Sequence, residues 1–485
     1  MDTHWNYVAV RGGPLGKAPL PELGNSINDI MESFWTQAIR GPDQLRQRVA
    51  FAYAQIFVIS ATNSALEIFG NALGAYHDML ARNAFGNFRT LLEEVSTHPS
   101  MGKYLSHMQN VKEDPATGRL PDENFAREVM QLFSIGLWEL NEDGTRRKDA
   151  SGNDIPTYNR DDVNGLAKVF SGLSWGGGPK TSSHFYINHA AGGALWNRQM
   201  QSYPEFHSTS EKRFLGRTVP AGTSGEESLR IAIDTLFNHR NTGPFIGRQL
   251  IQRLVTGNPS PAYVGRVARV FANNGAGVRG DMRAVIRAVL MDAEARDAAK
   301  LNDPQWGKLR EPMLRLGAWL RAFDVQPGTG GFYVGRYAIW NLEDQVGGLG
   351  QNPFRAPSVF NWYRPGYSPP GELLRRGITS PEFQITHATT VASYMNFLGS
   401  MVNRFSDGDG SMLPRNNYAT ERALANNPEA LLDHLNVLLV AGQMSASTRS
   451  TILPAINAIP VNNAIDRVKT AIMLTMASPE FIVQK

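Results

Sequence analysis

The chain has 485 residues, 42% of them apolar and 19% charged, with a formal net charge of +4 and no cysteine. The missing thiols exclude disulfides, thiolate metal sites and a cysteine nucleophile, and the apolar share is that of a folded chain rather than a disordered one. The charges are scattered, with no basic block, zinc-finger spacing or RNP pattern, so no nucleic-acid partner is expected.

No apolar run reaches the roughly 18–20 residues of a membrane span, and residues 1–20 carry neither a basic n-region nor an apolar core. No membrane span and no signal peptide are therefore read. Residues 1–21 are rich in glycine and proline and read as irregular. Apolar spacing then predicts helices over 22–40, 44–60, 63–82 and 85–97, broken at Ala84-Phe85-Gly86. His98-Pro99 opens a short helix that carries Tyr104 and His107. The stretch 121–137, PDENFAREVMQLFSIGL, is the next helix, with Pro121 near its first position, where a missing N–H costs nothing. Residues 138–155 read as a small hairpin with turns at Asp143-Gly144 and Ser151-Gly152. Asn159 or Asp161 caps a helix through Leu173. Residues 174–205 form a loop too long for a plain connection. Helices follow at 226–238, 243–255, 262–273, 281–297 and 309–322, the last with Pro312 tolerated in its first turn. A second long loop, 325–377, is dense in proline, glycine and aromatic residues, and helices at 381–403, 428–440, 446–457 and 462–476 close the chain. The motif Ser-Pro-Glu-Phe at 380–383 and 478–481 reads as shared helix-boundary chemistry, not a repeat. With no low-complexity linker, the expected architecture is mainly α: one large multi-helix domain over 1–485, with a minor β-hairpin and two long irregular loops.

The chemistry is concentrated in 121–137. Phe125, Val129, Leu132 and Phe133 recur at helical spacing and predict one buried face. Glu123 and Arg127 stand four apart in the order that favours an ion pair. Asn124, Glu128 and Gln131 form a polar line beside the apolar face, and a buried polar line needs partners. Two readings stand: an internal network holding helices in register, or a functional carboxylate at Glu128 assisted by Arg127 and Asn124. His98 either caps its helix or assists that carboxylate from beside Tyr104. His207, in FHSTSEK, either serves a ligand or bonds the loop backbone, while His77 and His107 read as core. Trp362 and its aromatic neighbours in 325–377, Phe332, Tyr333, Trp340 and Phe360 among them, are either buried anchors or a platform for sugar rings. No HExxH, GxSxG or Walker A sequence occurs. Asp407-Gly-Asp409-Gly-Ser411 opens like a calcium loop but lacks its twelfth-position glutamate, so no metal site is assigned.

Seven stretches match one family in order: PDENFAREVMQLFSIGLWELNEDG, NAFGNFRTLLEEVSTHPSMGKYL, YNRDDVNGLAKVFSGLSW, FHSTSEKRFLG, HRNTGPFIGRQLIQRLVTGNPSP, KLREPMLRLGAWLRAF and PFRAPSVFNWYRPGY. Together they cover nearly the whole chain and resemble the bacterial family known as domain of unknown function 1800. The resemblance implies an exported protein, periplasmic or secreted, often encoded beside a sulfatase-like exported partner, and it implies no particular reaction. Family members usually carry a leader and further helices before the region matching 4–24, so the N-terminus is expected to be truncated relative to them.

Three functions from different classes follow. The first is an exported enzyme, a hydrolase or lyase, acting on an extracellular polymer such as a glycan. Glu128 would be its acid or base, with Arg127 and His98 assisting and Glu123, Asn124, Tyr104, His207 and Trp362 holding substrate. Glu123 and Glu128 would suit glycoside hydrolysis if both faced one cleft. The second is a non-catalytic scaffold or binding protein for the sulfatase-like partner. The third is a histidine-ligated metal or haem redox protein, for which the spacing gives no support. No cofactor is assigned.

Overall fold

A computed structural model describes residues 3–10, 27–188, 193–329, 335–404, 416 and 418–485. The architecture is mainly α, with β-structure among the described residues limited to three two-stranded antiparallel sheets and isolated bridges. Phe332, Tyr333 and the 407–411 turn lie outside the described residues.

The first four helices are α1 (Thr3–Val10), α2 (Ile27–Arg40), α3 (Gln44–Ala54) and α4 (Gly70–Arg82). Helix α1 falls where the sequence reads as irregular. Its first N–H groups find a remote acceptor: the Asp78 carboxylate of α4 takes His4 N at 3.0 Å and Trp5 N at 2.7 Å. Helix α3 stops at Ala54 rather than 60 because the chain turns to bond another segment. Ala61 N donates to Phe354 O (2.7 Å) and Ser60 Oγ to Ala356 O (2.7 Å). Helix α5 (Phe88–Thr97) is capped by Asn87, and α6 (Pro99–Tyr104) by His98, whose Nδ1 accepts Ser100 N. His107 falls beyond the end of α6.

Helix α7 (Asn124–Gln131) is much shorter than the 121–137 expected. The following 138–157 segment folds back twice through Gly144 and Gly152, both at positive φ, as Asp143-Gly144 and Ser151-Gly152 foretell. Helix α8 (Arg160–Val169) opens with a capping box between Asn159 and Asp162. It ends before Leu173 because Leu173 enters β1 (Leu173–Ser174), which pairs with β2 (Gln201–Ser202). That pairing closes the base of the first long loop, which carries α9 (Ser182–Phe185), and Trp175, Phe185, Trp196 and Tyr203 bury their rings beneath it. Strands β3 (Lys212–Phe214) and β4 (Arg217–Val219) make a hairpin whose two turn residues, Leu215 and Gly216, both hold positive φ.

Helices α10 (Gly225–Asn238), α11 (Thr242–Leu254), α12 (Pro261–Ala272), α13 (Met282–Met291) and α14 (Ala293–Arg296) follow. After β5 (Lys308–Leu309) come α15 (Pro312–Ala322), α16 (Glu372–Arg375), α17 (Ala388–Arg404), α18 (Ala419–Leu424), α19 (Pro428–Val440), α20 (Ala446–Asn457), α21 (Ala464–Ala477) and α22 (Pro479–Ile482). Strand β6 (Val483–Gln484) returns to pair with β5. Both Ser-Pro-Glu-Phe motifs start helical turns with proline at the first positions. In the second long loop Tyr337 and Tyr363 are buried, while Trp340, Phe360 and Trp362 are half-buried.

Two large hydrophobic clusters result, beside a small one of Phe185, Tyr203 and Phe206. One runs from Ile30 to Trp306 and includes Phe125, Val129 and Phe133 of α7. The other joins Trp35, Ile39 and Phe51 to residues between Met313 and Phe481. Helices α2 and α3 thus supply side chains to both.

Candidate functional site

The chain before α7 is held out of helical register by side chains. Asn110 grips the Asp122 backbone from both sides, accepting its N–H at 2.9 Å and donating to its carbonyl at 3.2 Å. The Asp122 carboxylate then accepts Asn124 N at 2.7 Å. The helix therefore starts three residues later than Pro121 suggests. At the far end Gly136, at φ 75°, lets Ile135 N and Gly136 N return to Met130 O at 3.0 and 2.9 Å, which ends it early.

Phe125, Val129 and Phe133 are wholly buried and Leu132 half-buried, so the expected apolar face forms. Glu128 lies beside it, 8% exposed, and its Oε2 is buried with no hydrogen-bond partner. Burial pushes its carboxyl pKa up, with Arg127 opposing. Arg127 itself pairs with Glu123 at 3.2 Å near the surface, where such a pair contributes little. Tyr104 at the end of α6 and Tyr158 before α8 both face this carboxyl: burial first, then the Glu128 charge, push each phenol up to about 12. Tyr158 OH donates to Gln131 Oε1 at 3.3 Å, and Asn124 Nδ2 reaches Ser106 Oγ at 3.5 Å. Ser106 and Gln109, on the adjoining turn, hold left-handed backbone at φ 64°, a strained conformation for residues other than glycine. Tyr104, Asn124, Arg127 and Glu128 thus gather with Tyr158 and Gln131. Glu123 joins them only through Arg127, since five residues on a helix turn side chains about 140° apart.

The other expected site residues sit elsewhere. His98 is 2% exposed and bonded to Ser100, with its ring edge-on to Tyr76 at 5.1 Å. Burial, helped by Arg82, pushes it down to about 3, so it is a neutral cap inside the core. His207 is buried with Nδ1 on Ser171 O at 2.9 Å, and its ring faces Glu113, Lys212 and Glu226. Trp362 lines a separate cavity of about 40 Å³ together with Phe34, His77 and Phe354.

The sequence pattern of the family described as "Protein of unknown function (DUF1800)" matches residues 10–483. The chain belongs to this family. Comparisons with curated proteins and with solved structures find no match. Membership confirms the resemblance and leaves the chemistry to the side chains. Among the described residues, no three His, Asp or Glu side chains stand close enough to hold a metal ion, and no helix is long and apolar enough to cross a membrane.

One polar cluster escaped the sequence reading. Glu311, fully buried at the start of α15, accepts from Gln55 Nε2 (2.5 Å) and Gln351 Nε2 (2.6 Å). Lys308 Nζ stands 2.9 Å from Glu382 Oε1 and donates to the Gln252 and Arg253 carbonyls at 3.0 Å each. Arg48 and Arg253 face Glu311, Glu382 and Tyr363, and burial lowers the pKa of both guanidiniums against those charges. The signal was in the sequence: charges set among apolar residues, as in QLIQRLV and KLREPML, mark groups that folding must bury.

Proposed function

We propose that this protein is an exported enzyme that cleaves C–O bonds of an extracellular polymer, a glycan by class, with Glu128 as the proton donor. The observation that carries this reading is the buried, partnerless Oε2 of Glu128 in a carboxyl whose pKa burial raises. A carboxyl that holds its proton more tightly than usual can hand it to the oxygen of a departing sugar. Tyr104 and Tyr158, with phenols pushed up to about 12, stay protonated and act as hydrogen-bond donors beside it. Arg127 and Asn124, both exposed, offer polar contacts at the rim. Because Glu123 is tied to Arg127, the second carboxylate of a two-acid hydrolase is not supplied by it, which favours a single-acid hydrolysis: water adds to the sugar carbon as the C–O bond breaks, Glu128 protonates the departing oxygen, and the water's proton passes to solvent. Export, to the periplasm or beyond, rests on the family resemblance, as does a sulfatase-like partner.

The test is a polysaccharide panel read two ways, by new reducing ends and by the ultraviolet absorbance of unsaturated products. Glu128→Gln should abolish turnover while Glu123→Gln retains it. A fully active Glu128→Gln protein, or a parent that is inert across the panel, overturns the assignment.

A further inference from the structure

Two asparagines in the chain precede glycine, Asn164 and Asn274. In an Asn-Gly pair the backbone nitrogen reaches the preceding side chain most readily, because glycine has no Cβ in the way and turns freely. The fold treats the two pairs in opposite ways. Asn164-Gly165 lies inside α8, where Gly165 is buried against the β3 backbone: a Cβ on it would stand 1.7 Å from Arg213 O. A helical N–H points along the axis to the preceding turn, away from the side chain before it, so this pair is locked.

Asn274-Gly275 lies in the loop between α12 and α13, with Asn274 half-buried and residues 275–278 exposed. Gly275 holds positive φ, and a Cβ on it would meet nothing. The Asn274 side-chain amide is held at both ends. Its Oδ1 accepts Ala276 N at 2.9 Å and Val278 N at 3.2 Å. Its Nδ2 donates to Asp281 Oδ2 at 2.7 Å. The two N–H groups on Oδ1 draw electrons from the side-chain carbonyl carbon, and they stand where the negative charge of a tetrahedral adduct would collect. Asp281 holds the nitrogen that would leave. The Gly275 N–H is engaged by the side chain of exposed Asn273 at 2.9 Å, a contact that water replaces at little cost.

We propose that Asn274 is a site of self-modification. The Gly275 nitrogen gives its proton to solvent base and bonds to the Asn274 side-chain carbonyl carbon. The bond from that carbon to Nδ2 breaks, and the nitrogen takes up a proton and leaves as ammonia. Water then opens the cyclic imide at either carbonyl, leaving aspartate or isoaspartate at 274. The new carboxylate stands against Asp281, whose own carboxyl is held below its usual pKa first by the Asn274 hydrogen bond. Asp281 caps α13 by accepting Ala284 N at 3.1 Å, so like charges at this contact loosen the start of that helix.

The experiment ages the full chain at neutral pH, in buffer and in urea. Mass spectrometry of the tryptic peptides 161–168 and 270–279 follows the exchange of amide for acid, and enzymatic methylation counts isoaspartate. In urea the two asparagines should convert at comparable rates. In the folded chain Asn274 should convert at least about tenfold faster than Asn164, which reacts only when α8 opens. Asn274→Asp builds in one product and should melt below the parent, as should the aged chain. Equal rates at the two sites in buffer, an Asn274 that converts in urea but not in buffer, or an Asn274→Asp protein that melts with the parent overturns the proposal.

Discussion

Lys308 offers the sharpest test of how the chain balances buried charge. Its side chain is fully buried beside Glu382, which is 1% exposed, and one ammonium serves a carboxylate and two carbonyls at the end of α11. Lys308→Met keeps the stem and removes the charge. Glu382, neither of whose oxygens has a hydrogen-bond donor aligned on it, is then left as a buried anion, a loss of about 3–5 kcal/mol. Arg48, Arg253 and Arg315 still face that anion, which places the result at the lower end, about 3 kcal/mol. Losing acceptance at the two carbonyls adds about 1 kcal/mol each. The total, about 5 kcal/mol, is a large part of the stability of an ordinary domain. Lys308→Met/Glu382→Leu removes both charges and should recover about 3 kcal/mol of that loss. Urea unfolding followed by circular dichroism and tryptophan fluorescence measures both variants. A single variant within about 1 kcal/mol of the parent, or a double variant no better than the single, would refute the reasoning.

Acid should weaken the fold early. Burial holds His77 and His107 down to about 4 and His98 to about 3, so below pH 6.5 the unfolded chain takes up protons that the folded chain refuses. At pH 5 each costs about 2 kcal/mol, and a urea midpoint unchanged between pH 7 and 5 would contradict this. Glu128→Gln has the opposite sign: the folded carboxyl holds its proton more tightly than the unfolded one, so the parent loses stability as pH rises past about 4.3. The variant should melt above the parent at pH 7, with the gap closing below pH 4, and a drop of several kcal/mol would mean that Glu128 neutralises a buried cation. Asn241 is fully buried and bonds Ile135 O, Trp138 O and Leu140 N at 2.8–2.9 Å. Asn241→Ala orphans all three and should cost about 3 kcal/mol or more in chemical denaturation.

Periodicity and caps made most helices legible. Residues 428–440 and 446–457 occur with the expected bounds, and Pro312, Asn159 and His98 act at helix starts as their chemistry dictates. What failed was what depends on distant partners. Helix α1 needs the Asp78 carboxylate, more than seventy residues away, and the start of α7 is set by Asn110 rather than by Pro121. The candidate site was half legible for the same reason. Glu128, Arg127, Asn124 and Tyr104 come together because they share or adjoin one helix, whereas Tyr158 arrives from another element and carries no local mark. His98 looks catalytic in sequence because a histidine before proline at a helix start is equally suited to capping, and burial decides for the cap.

The double membership of α2 and α3 bears on how the chain can be taken apart. Ile30, Val49 and Tyr53 pack into one cluster while Trp35, Ile39 and Phe51, on the same two helices, pack into the other. A fragment cut near Gly307 would strip the second cluster of those three side chains and leave Trp319, Leu320 and Met313 facing water. The first cluster is also closed over distance, with Phe88 meeting Phe271 at 5.4 Å across roughly 180 residues of chain. Closing Phe51 against Met313 spans some 260 residues of chain, and contacts of such separation form slowly. Refolding from urea is therefore expected to be slow in both clusters, with Trp319 fluorescence recovering no earlier than the helical signal.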